Sequence, residues 1–442
     1  MRPVPTLREE LEDWLRIPSV STAGGDAAAL ASACDWVCER IEAAGGSAEA
    51  VTVNGGHPMA VGELRAARPD APTVLSYGHF DVQAAGPLEL WDSPPFEPTE
   101  RDGRLYARGA ADDKGNFLPL LHVACELARA EELPVNVRFV VEGEEEVGSG
   151  SVMQRLRSGE DQADCAIVFD SLMVDERTPA ITLGTRGMVS AGIEVRTARR
   201  ELHSGLYGGA VLNAAHVLMG MLAAVAPDAE GRVRPELAAG VAPVAPEERA
   251  LWERLPPGAR AIADVGGVEV TPGAGDDYYD RTGAAAAVDV NMIEVGEPRT
   301  IVPCSARGHV SLRLAPGQSA TQAAAELERL LREAAPAGAE VAIELELADP
   351  ALFDPADPAL RLAFSALERA CGTEPALVRI GGTLPLLAVL AERGIPSIVS
   401  GFALPDDAFH APNESFRLES LRLGEAAARE LYLGLAELPA RA

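Results

Sequence analysis

Short apolar segments that end in acidic or histidine side chains recur along the first half of this chain of 442 residues. The segments, with the groups that follow them, are 73–77 with His79 and Asp81, 135–141 with Glu144, Glu145 and Glu146, and 166–169 with Asp170. Apolar runs of this length predict buried strands, and helical patterns at 7–44 and 116–130 accompany them. Strands that alternate with helices favour a largely parallel sheet covered by helices on both faces. Because ligands of such sheets bind at the carboxyl ends of the strands, these side chains are expected to converge there.

Carboxylates and imidazoles gathered at one sheet edge are expensive to bury unless they are paired or bound to cations. Two further segments supply candidates for the same group, Asp112 in a glycine-containing turn and His410 near the C-terminus. A metal site is the economical explanation of the whole set. The alternative for Asp112, or for Asp113 beside it, is that it caps the helix that follows.

Three adjacent glutamates, Glu144 to Glu146, are most often a solvated run of charge. Their place closely after a predicted strand favours a second explanation, in which one carboxylate binds a metal and its neighbour serves as a general base. A base of this kind must lie within hydrogen-bonding distance of the water molecule that it activates. The residues alone leave both explanations open.

Composition excludes some kinds of partner. The formal net charge is −29, and without a cluster of Lys and Arg the chain is not expected to bind the phosphates of nucleic acid. No apolar run is long enough to span a bilayer, and the N-terminal segment lacks the apolar core of a signal peptide. The six cysteines are scattered, as expected for buried thiols rather than disulfides or metal ligands. We therefore expect a cytoplasmic protein that binds neither nucleic acid nor a membrane.

The pattern changes character near residue 187. The later segments typical of strands are 188–197, 308–314 and 341–347, and those typical of helices are 210–224 and 320–335. Strands and helices in this order suggest a compact α+β insert. The predicted domains are a first domain over 1–186 and 349–442 and, between these parts, an inserted α+β domain over 187–348. The first domain must be discontinuous because His410 belongs with the early metal candidates.

In their order and spacing, these motifs resemble those of one known family. The chain is similar over nearly its whole length to the dinuclear zinc aminoacyl hydrolases, which include carnosinase, the Cys-Gly dipeptidases, acetylornithine deacetylase and succinyl-diaminopimelate desuccinylase. The motifs that carry the resemblance are Ser76-Tyr-Gly-His79-Phe-Asp81, Gly109-Ala-Ala-Asp112-Asp113-Lys114, Gly143-Glu144-Glu145-Glu146, Phe169-Asp170 and Asp407-Ala-Phe-His410. The resemblance implies that the domain formed by 1–186 and 349–442 is catalytic and that the insert over 187–348 is a lid or dimerisation domain. It also implies two divalent ions per chain, with zinc preferred and manganese or cobalt tolerated.

The resemblance also implies a role for each residue. The implied ligands are His79, Asp112 and Asp170 for one ion, and Asp112, Glu146 and His410 for the other. Glu145 matches the general base, and Asp81 matches the residue that orients the histidine ligand. Two ions about 3.5–4 Å apart would share the attacking water and polarise the scissile carbonyl. Asp407 and Glu414 are candidates for orienting His410.

A tetrahedral oxyanion needs a hydrogen-bond donor from outside the metal pair. The resemblance assigns this role to His203, which in dimeric members of the family reaches the active site of the partner subunit, so a homodimer is expected. The segment His203-Ser-Gly-Leu-Tyr-Gly-Gly is similar to the carnosinase and Cys-Gly dipeptidase branch. Without the resemblance, a loop histidine with local hydrogen bonds is the better explanation of His203.

Three further residues match substrate contacts of that branch. Arg313 would receive the terminal carboxylate of the substrate, for which a planar guanidinium is suited, although a salt bridge on a strand surface is the alternative. Thr300 and Thr383 match hydroxyl or backbone contacts, and turns or helix caps explain these two threonines equally well.

The sequence therefore predicts a metallopeptidase that hydrolyses the amide bond of dipeptides or short peptides with a free C-terminal carboxylate. The nearest alternative is an N-acyl amino acid deacylase or carboxypeptidase on the same scaffold. An alternative of another class is a catalytically silent peptide-binding protein. That alternative is disfavoured because a binding protein would not require Glu145 beside five metal ligands.

Overall fold

The computed structural model of this protein describes residues 5–22, 24–382 and 384–439, without the side chain of Glu247. The helices are α1 (Leu7–Leu15), α2 (Ala27–Ala43), α3 (Lys114–Arg129), α4 (Gly150–Ser158), α5 (Ser204–Tyr207), α6 (Ala214–Val225), α7 (Pro246–Trp252), α8 (Gly258–Asp264), α9 (Ala320–Ala334), α10 (Pro358–Cys371), α11 (Pro385–Glu392) and α12 (Leu418–Leu435). Among the helices of these residues, none combines the length and the apolar character that a membrane span requires.

The strands are β1 (Ser47–Val51), β2 (Met59–Leu64), β3 (Thr73–His79), β4 (Thr99–Arg101), β5 (Arg104–Tyr106), β6 (Asn136–Glu142), β7 (Cys165–Phe169), β8 (Ala180–Thr185), β9 (Gly187–Arg196), β10 (Leu202–His203), β11 (Ala287–Val295), β12 (Ile301–Val302), β13 (Ser305–Leu314), β14 (Glu340–Ala348), β15 (Ala351–Leu352), β16 (Ala376–Ile380), β17 (Ser397–Ser400) and β18 (Ser415–Arg417).

A six-stranded sheet forms the centre of the first compact unit, which comprises the described residues within Met1–Leu183, Phe353–Val378 and Val389–Ala442. The strand order is β1-β2-β6-β3-β7-β17. Strands β6, β3, β7 and β17 run parallel to one another, whereas β2 and β1 pair antiparallel at one edge. Every residue of β7 is buried, as expected of a strand covered on both faces. The predicted α/β fold with a largely parallel sheet is confirmed.

The close approach of α3 to β3 depends on Gly78. A Cβ atom at this position would lie 2.3 Å from the ring of Phe117 on α3, so any side chain would push the helix away from the sheet. Helix α3 begins at Lys114, directly after the turn that carries Asp112. The missing side chain of Gly78 therefore helps to set where that turn lies against the end of β3.

The N-terminal helical pattern is interrupted in the structure. Helix α1 ends at Leu15 and α2 begins only at Ala27, because Pro18 cannot continue a helix and the carboxylate of Asp26 caps α2. That carboxylate accepts the N–H of Ala28 at 2.9 Å, a contact that typically stabilises a helix by about 1 kcal/mol. The rings of Trp14 and Trp36, one from each helix, stack with their centroids 4.9 Å apart.

The second compact unit lies within Gly184–Leu352 and Arg379–Ala388 and is built on an antiparallel sheet of strand order β11-β13-β9-β14. Alternate residues of β9 are buried, which is the period of two that the sequence predicted. Helices α6 and α9 cover this apolar face. Helix α6 begins at Ala214 rather than at 210 because the side chain of Asn213 caps it, accepting the N–H of Ala215 at 2.9 Å. The predicted catalytic and lid roles of the two parts, with their boundaries, stay predictions.

Candidate metal centre

Strand β3 lies between β6 and β7 in the sheet of the first unit. The predicted metal-binding side chains follow the carboxyl ends of these three strands. Strand β3 ends at His79. The turn after β6 carries Glu145 and Glu146, and Asp170 follows β7 directly. Because the three strands are parallel, their carboxyl ends meet at one edge of the sheet, where ligands of α/β folds bind.

Asp112 lies between two histidines from distant parts of the chain. One carboxylate oxygen, Oδ1, is 3.0 Å from Nε2 of His79, and the other, Oδ2, is 2.9 Å from Nε2 of His410. Nε2 of His410 is also 3.3 Å from Oε2 of Glu146. Both oxygens of Asp112 therefore face imidazole nitrogens, which is the arrangement a bridging carboxylate needs.

Two ligand triads share Asp112. In the first triad, His79, Asp112 and Asp170 each present one ligand atom within 4.8 Å of the others, and in the second triad Asp112, Glu146 and His410 do the same. Imidazole combined with carboxylates is a donor set that suits zinc and tolerates other divalent ions. The donors and their separations therefore fit a pair of divalent cations with Asp112 between them.

The helix-capping explanation fails for both aspartates of this turn. Asp113 occupies the N-cap position of α3, but its side chain makes no capping hydrogen bond to the helix. Its Oδ2 instead accepts the backbone N–H of His79 at 3.3 Å. The peptide bond between Asp112 and Asp113 is cis. Both side chains thus face the end of β3 and not the first turn of α3.

Excess negative charge dominates the electrostatics of the two triads. Burial acts to lower the pKa of His79, but hydrogen bonds to Asp112 and Asp81 outweigh it and raise this pKa well above its usual value. Hydrogen bonds to Asp112 and Glu146 raise the pKa of His410 to about 10. Burial opposes ionisation of Asp112, yet hydrogen bonds from the two histidines hold its pKa below the usual range. The site therefore favours positive charge strongly, as a cation site should.

Glu145 and Asp170 show the opposite shift. Burial raises the pKa of Glu145 to about 9, and the negative charges of Asp170 and Asp112 act in the same direction. Burial also raises the pKa of Asp170 to about 7. A cation bound nearby would favour the ionised form of both groups. A carboxylate tuned in this way is suited to take up a proton and return it near neutral pH.

Asp81 holds both His79 and the turn that carries the glutamates. Nδ1 of His79 is 3.0 Å from the backbone carbonyl oxygen of Asp81 and 3.4 Å from its Oδ1. The Asp81 carboxylate accepts the N–H of Glu145 at 3.2 Å and that of Glu146 at 3.1 Å. It also accepts the hydroxyl of Ser21 at 2.6 Å, a contact that no sequence pattern predicts. With Nδ1 engaged, Nε2 of His79 is the nitrogen available to a metal.

The three adjacent glutamates have separate environments. Glu144 turns away from the triads, and its two oxygens accept the N–H of His57 at 2.6 Å and that of Ser151 at 3.0 Å. Glu146 faces His410 and accepts Nε2–H of Gln83 at 2.8 Å. These carboxylates are therefore not one solvated run of charge. Gln83 is another residue that the sequence did not single out.

Asp407 and Glu414 hold backbone segments and not the ring of His410. The carboxylate of Asp407 accepts the N–H of Leu404 at 2.7 Å. Glu414 is fully buried, and its carboxylate accepts backbone N–H groups of the turn that carries Asp112. These contacts do not support the prediction that the two carboxylates orient the imidazole of His410.

Three of the predicted substrate residues lie in the second unit. His203 is exposed, and its Nδ1 accepts the N–H of Gly205 at 3.0 Å, the kind of local contact that the alternative explanation requires. The backbone carbonyl of Thr300 accepts the N–H of the residue after His203 at 3.0 Å. Arg313 is half-buried on β13. Thr383 lies outside the described residues.

Known proteins resemble this chain along most of its length. It is 30% identical over 375 residues to cysteinylglycine-S-conjugate dipeptidase of Corynebacterium striatum, with 81% of this chain and 80% of that protein covered. It is 28% identical over 397 residues to human Beta-Ala-His dipeptidase, with 86% of this chain and 78% of that protein covered. The crystal structure of human carnosine dipeptidase 1 matches with a TM-score of 0.79 at 25% identity, covering 98% of this chain and 96% of that one.

The sequence model of peptidase family M20/M25/M40 matches residues 75–433. This span begins before His79 and ends after His410, so it contains both ligand triads and Glu145. The match in sequence agrees with the match in fold to a dipeptidase structure. The protein is accordingly a metallopeptidase, and it belongs to peptidase family M20/M25/M40.

Proposed function

We propose that this protein hydrolyses the amide bond of dipeptides or short peptides that have a free C-terminal carboxylate, using two divalent ions. The observation that carries the proposal is the sharing of Asp112 between two ligand triads, with Glu145 on the same turn as the ligand Glu146. The names of two relatives, cysteinylglycine-S-conjugate dipeptidase and Beta-Ala-His dipeptidase, support a dipeptide as substrate.

The proposed ligands divide between two ions. His79 and Asp170 would hold one ion, Glu146 and His410 would hold the other, and Asp112 would contribute to both. When bound there, the ions polarise the scissile carbonyl and make water more acidic. We infer zinc as the native metal from the mixture of imidazole and carboxylate donors, with manganese or cobalt as tolerated substitutes.

Glu145 is the proposed general base. Its backbone N–H donates a hydrogen bond to the carboxylate of Asp81. This contact fixes the backbone from which the Glu145 side chain extends, beside the two triads. Glu145 takes a proton from the attacking water and then passes it to the leaving amine, so one carboxyl group serves both halves of the reaction. Burial and neighbouring carboxylates raise its pKa, and this supports a group that holds the proton between the two steps.

His203 is the proposed donor to the tetrahedral oxyanion, and we propose that it acts across a homodimer. Support for a dimer comes from β11, an edge strand of its sheet among the described strands, on which Val290, Met292 and Ile293 are exposed. Apolar side chains on an exposed edge strand favour pairing with another strand. A two-fold axis would pair β11 with its own copy in an antiparallel manner.

Arg313 is the proposed receptor for the C-terminal carboxylate of the peptide, because a guanidinium group binds a carboxylate through two parallel hydrogen bonds. We propose Thr300 and Thr383 as additional substrate contacts. A cytoplasmic location belongs to the same proposal and is supported by the free thiols of the six cysteines, since disulfides are rare in that compartment.

The test is a substrate panel with the zinc-loaded and the manganese-loaded protein. The panel compares Cys-Gly and β-Ala-His with their C-terminal amides, with N-acetyl and N-succinyl amino acids, and with longer peptides that are blocked at the N-terminus. Rapid cleavage confined to short peptides with a free C-terminus is the expected result. Preference for acylated amino acids or for blocked long peptides would replace this proposal with the deacylase or carboxypeptidase alternative. Two bound ions without cleavage of any amide would favour a silent peptide-binding protein.

A further inference from the structure

The buried carboxylate of Glu414 accepts several backbone N–H groups of the turn that carries Asp112. Its Oε1 accepts the N–H of Ala111 at 2.9 Å and that of Asp112 at 3.1 Å. Its Oε2 accepts the N–H of Gly109 at 3.0 Å and Nη1–H of Arg108 at 2.6 Å. Glu414 is fully buried, and among the described residues the hydrogen bonds to its side chain all come from the segment 108–112.

Arg108 extends the same network to a third segment. This side chain is only 2% exposed, and while Nη1 is bound to Glu414, Nη2 donates to the backbone carbonyl of Ala84 at 3.2 Å. Ala84 follows the segment that carries His79 and Asp81. The backbone carbonyl of Glu414 also accepts the N–H of Ala107 at 3.1 Å. The pair therefore joins three ligand-bearing segments, 79–84, 107–112 and 410–414.

Stability alone is a weak reason for this ion pair. Two charges taken out of water lose hydration that their attraction offsets only in part, so a buried ion pair contributes little compared with apolar side chains of the same size. Its geometric effect is specific, however. An ionised carboxylate only accepts hydrogen bonds, so it can bind several N–H groups of one turn and fix their directions.

We propose that Glu414, together with Arg108, is the positioning residue that places Asp112 between the two ions. The inference rests on the proposed function for the identity of the ligands, and it concerns a group that does not touch the reacting atoms. His79 has an independent support in Asp81, whereas His410 lies four positions before Glu414 on the same loop. Loss of the Glu414 contacts therefore weakens the second triad more than the first.

The test compares Glu414→Gln with a matched control, Asp161→Asn, by competition with a metal chelator. An amide nitrogen cannot accept a hydrogen bond, so glutamine loses half of the contacts while keeping the shape of the side chain. Asp161 is also buried and paired with an arginine of the first unit, Arg155, at 2.8 Å and 3.1 Å. We expect one of the two ions to bind about 10–100-fold more weakly to Glu414→Gln, and both to bind Asp161→Asn as they bind the unaltered protein.

Activity supplies a second readout that a general loss of stability would not produce. Excess metal should restore turnover to Glu414→Gln, because the variant keeps the base and all five ligands. Unchanged affinity for both ions in a folded Glu414→Gln would overturn the inference. If Glu414→Gln does not fold, Arg108→Lys takes its place, because lysine keeps the positive charge but lacks the planar guanidinium with its two donor nitrogens. Arg108→Lys must then show the same selective loss of affinity for one ion. Unchanged affinity for both ions in Arg108→Lys would also overturn the inference. Failure of the unaltered protein to bind two ions would instead remove the proposed function.

Discussion

Nε2 of His410 lies 2.9 Å from Oδ2 of Asp112, although 298 positions separate the two residues in the chain. The other oxygen of Asp112 faces His79 at 3.0 Å, so this carboxylate belongs to both ligand triads. If the proposed ligands hold two ions, an ion bound in one triad would therefore alter the charge and the orientation of a proposed ligand of the other. Metal binding at the two positions is expected to be coupled, with a coupling free energy that is the same in whichever order the ions are added.

Replacing Glu145 by glutamine should abolish most turnover and leave the metal content unchanged. The residue is the proposed base, and general bases contribute about 10²–10⁴-fold to rate. The checks are kcat on a dipeptide together with metal analysis of the purified variant. Loss of one ion from Glu145→Gln would show that this side chain is a ligand, and full activity would assign the base to another group.

Metal binding should release protons and strengthen as the pH rises. The pKa values of His410 and Glu145 are raised to about 10 and about 9, so in the absence of a cation both groups carry a proton at neutral pH. Divalent ions bind deprotonated ligands such as His410, and their charge also favours the ionised form of a neighbouring carboxyl group such as Glu145. The pH lies below both pKa values at any pH under about 9, and there each proton released changes the apparent affinity by about tenfold per pH unit. Titration calorimetry in buffers of different ionisation enthalpy measures the release, and a heat independent of the buffer would contradict it.

Substituting His203 by alanine should lower turnover with little loss of metal, since its proposed contact is with the oxyanion. If the residue acts across a dimer, mixing inactive Glu145→Gln with inactive His203→Ala should restore part of the activity. The mixed dimer would contain one active site with both groups. Absence of rescue under conditions of proven subunit exchange would confine His203 to its own subunit or to a structural role.

Removing the guanidinium with Arg313→Ala should weaken the binding of peptides with a free C-terminus and change little for their C-terminal amides. A lost charge-assisted contact of this kind costs about 1.5–3 kcal/mol, which should appear mainly in KM. Equal effects on acids and amides would remove Arg313 from the carboxylate role. A free-acid peptide and its amide therefore form the necessary pair of substrates.

The sequence predicts the elements of the central sheet well because its strands are short, apolar and buried on both faces. The apolar runs before His79 and Asp170 mark β3 and β7, and the residues that follow them do lie at one sheet edge. The break between α1 and α2 was not predicted, because the apolar spacing over 7–44 indicated helix throughout, whereas Pro18 cannot continue a helix and Asp26 caps α2. The placement of His410 rests on the resemblance, because no local pattern links it to a turn 298 positions away.

Local sequence patterns do not predict the hydrogen bonds that hold the proposed ligands and their turns in place. Glu414 reaches Asp112 across 302 positions, and Ser21 reaches Asp81 across 60. A buried carboxylate that binds backbone N–H groups has no characteristic spacing in sequence, since its partners are peptide groups that every residue except proline carries. Glu414 was a candidate from the sequence, but for orienting His410, and its true partners, the peptide groups around Asp112, are visible only in the folded chain.

The position of Asp81 limits how this site can change in evolution. Its backbone carbonyl oxygen lies 3.0 Å and its carboxylate 3.4 Å from the ring nitrogen Nδ1 of a proposed ligand histidine, and the same carboxylate accepts the peptide N–H groups of the proposed base and its neighbour. A substitution of Asp81 would displace both the proposed ligand His79 and the proposed base Glu145. Mutation at this position therefore cannot change the geometry of one without changing that of the other. Relatives that acquire new substrates on this scaffold are therefore expected to do so by changes elsewhere.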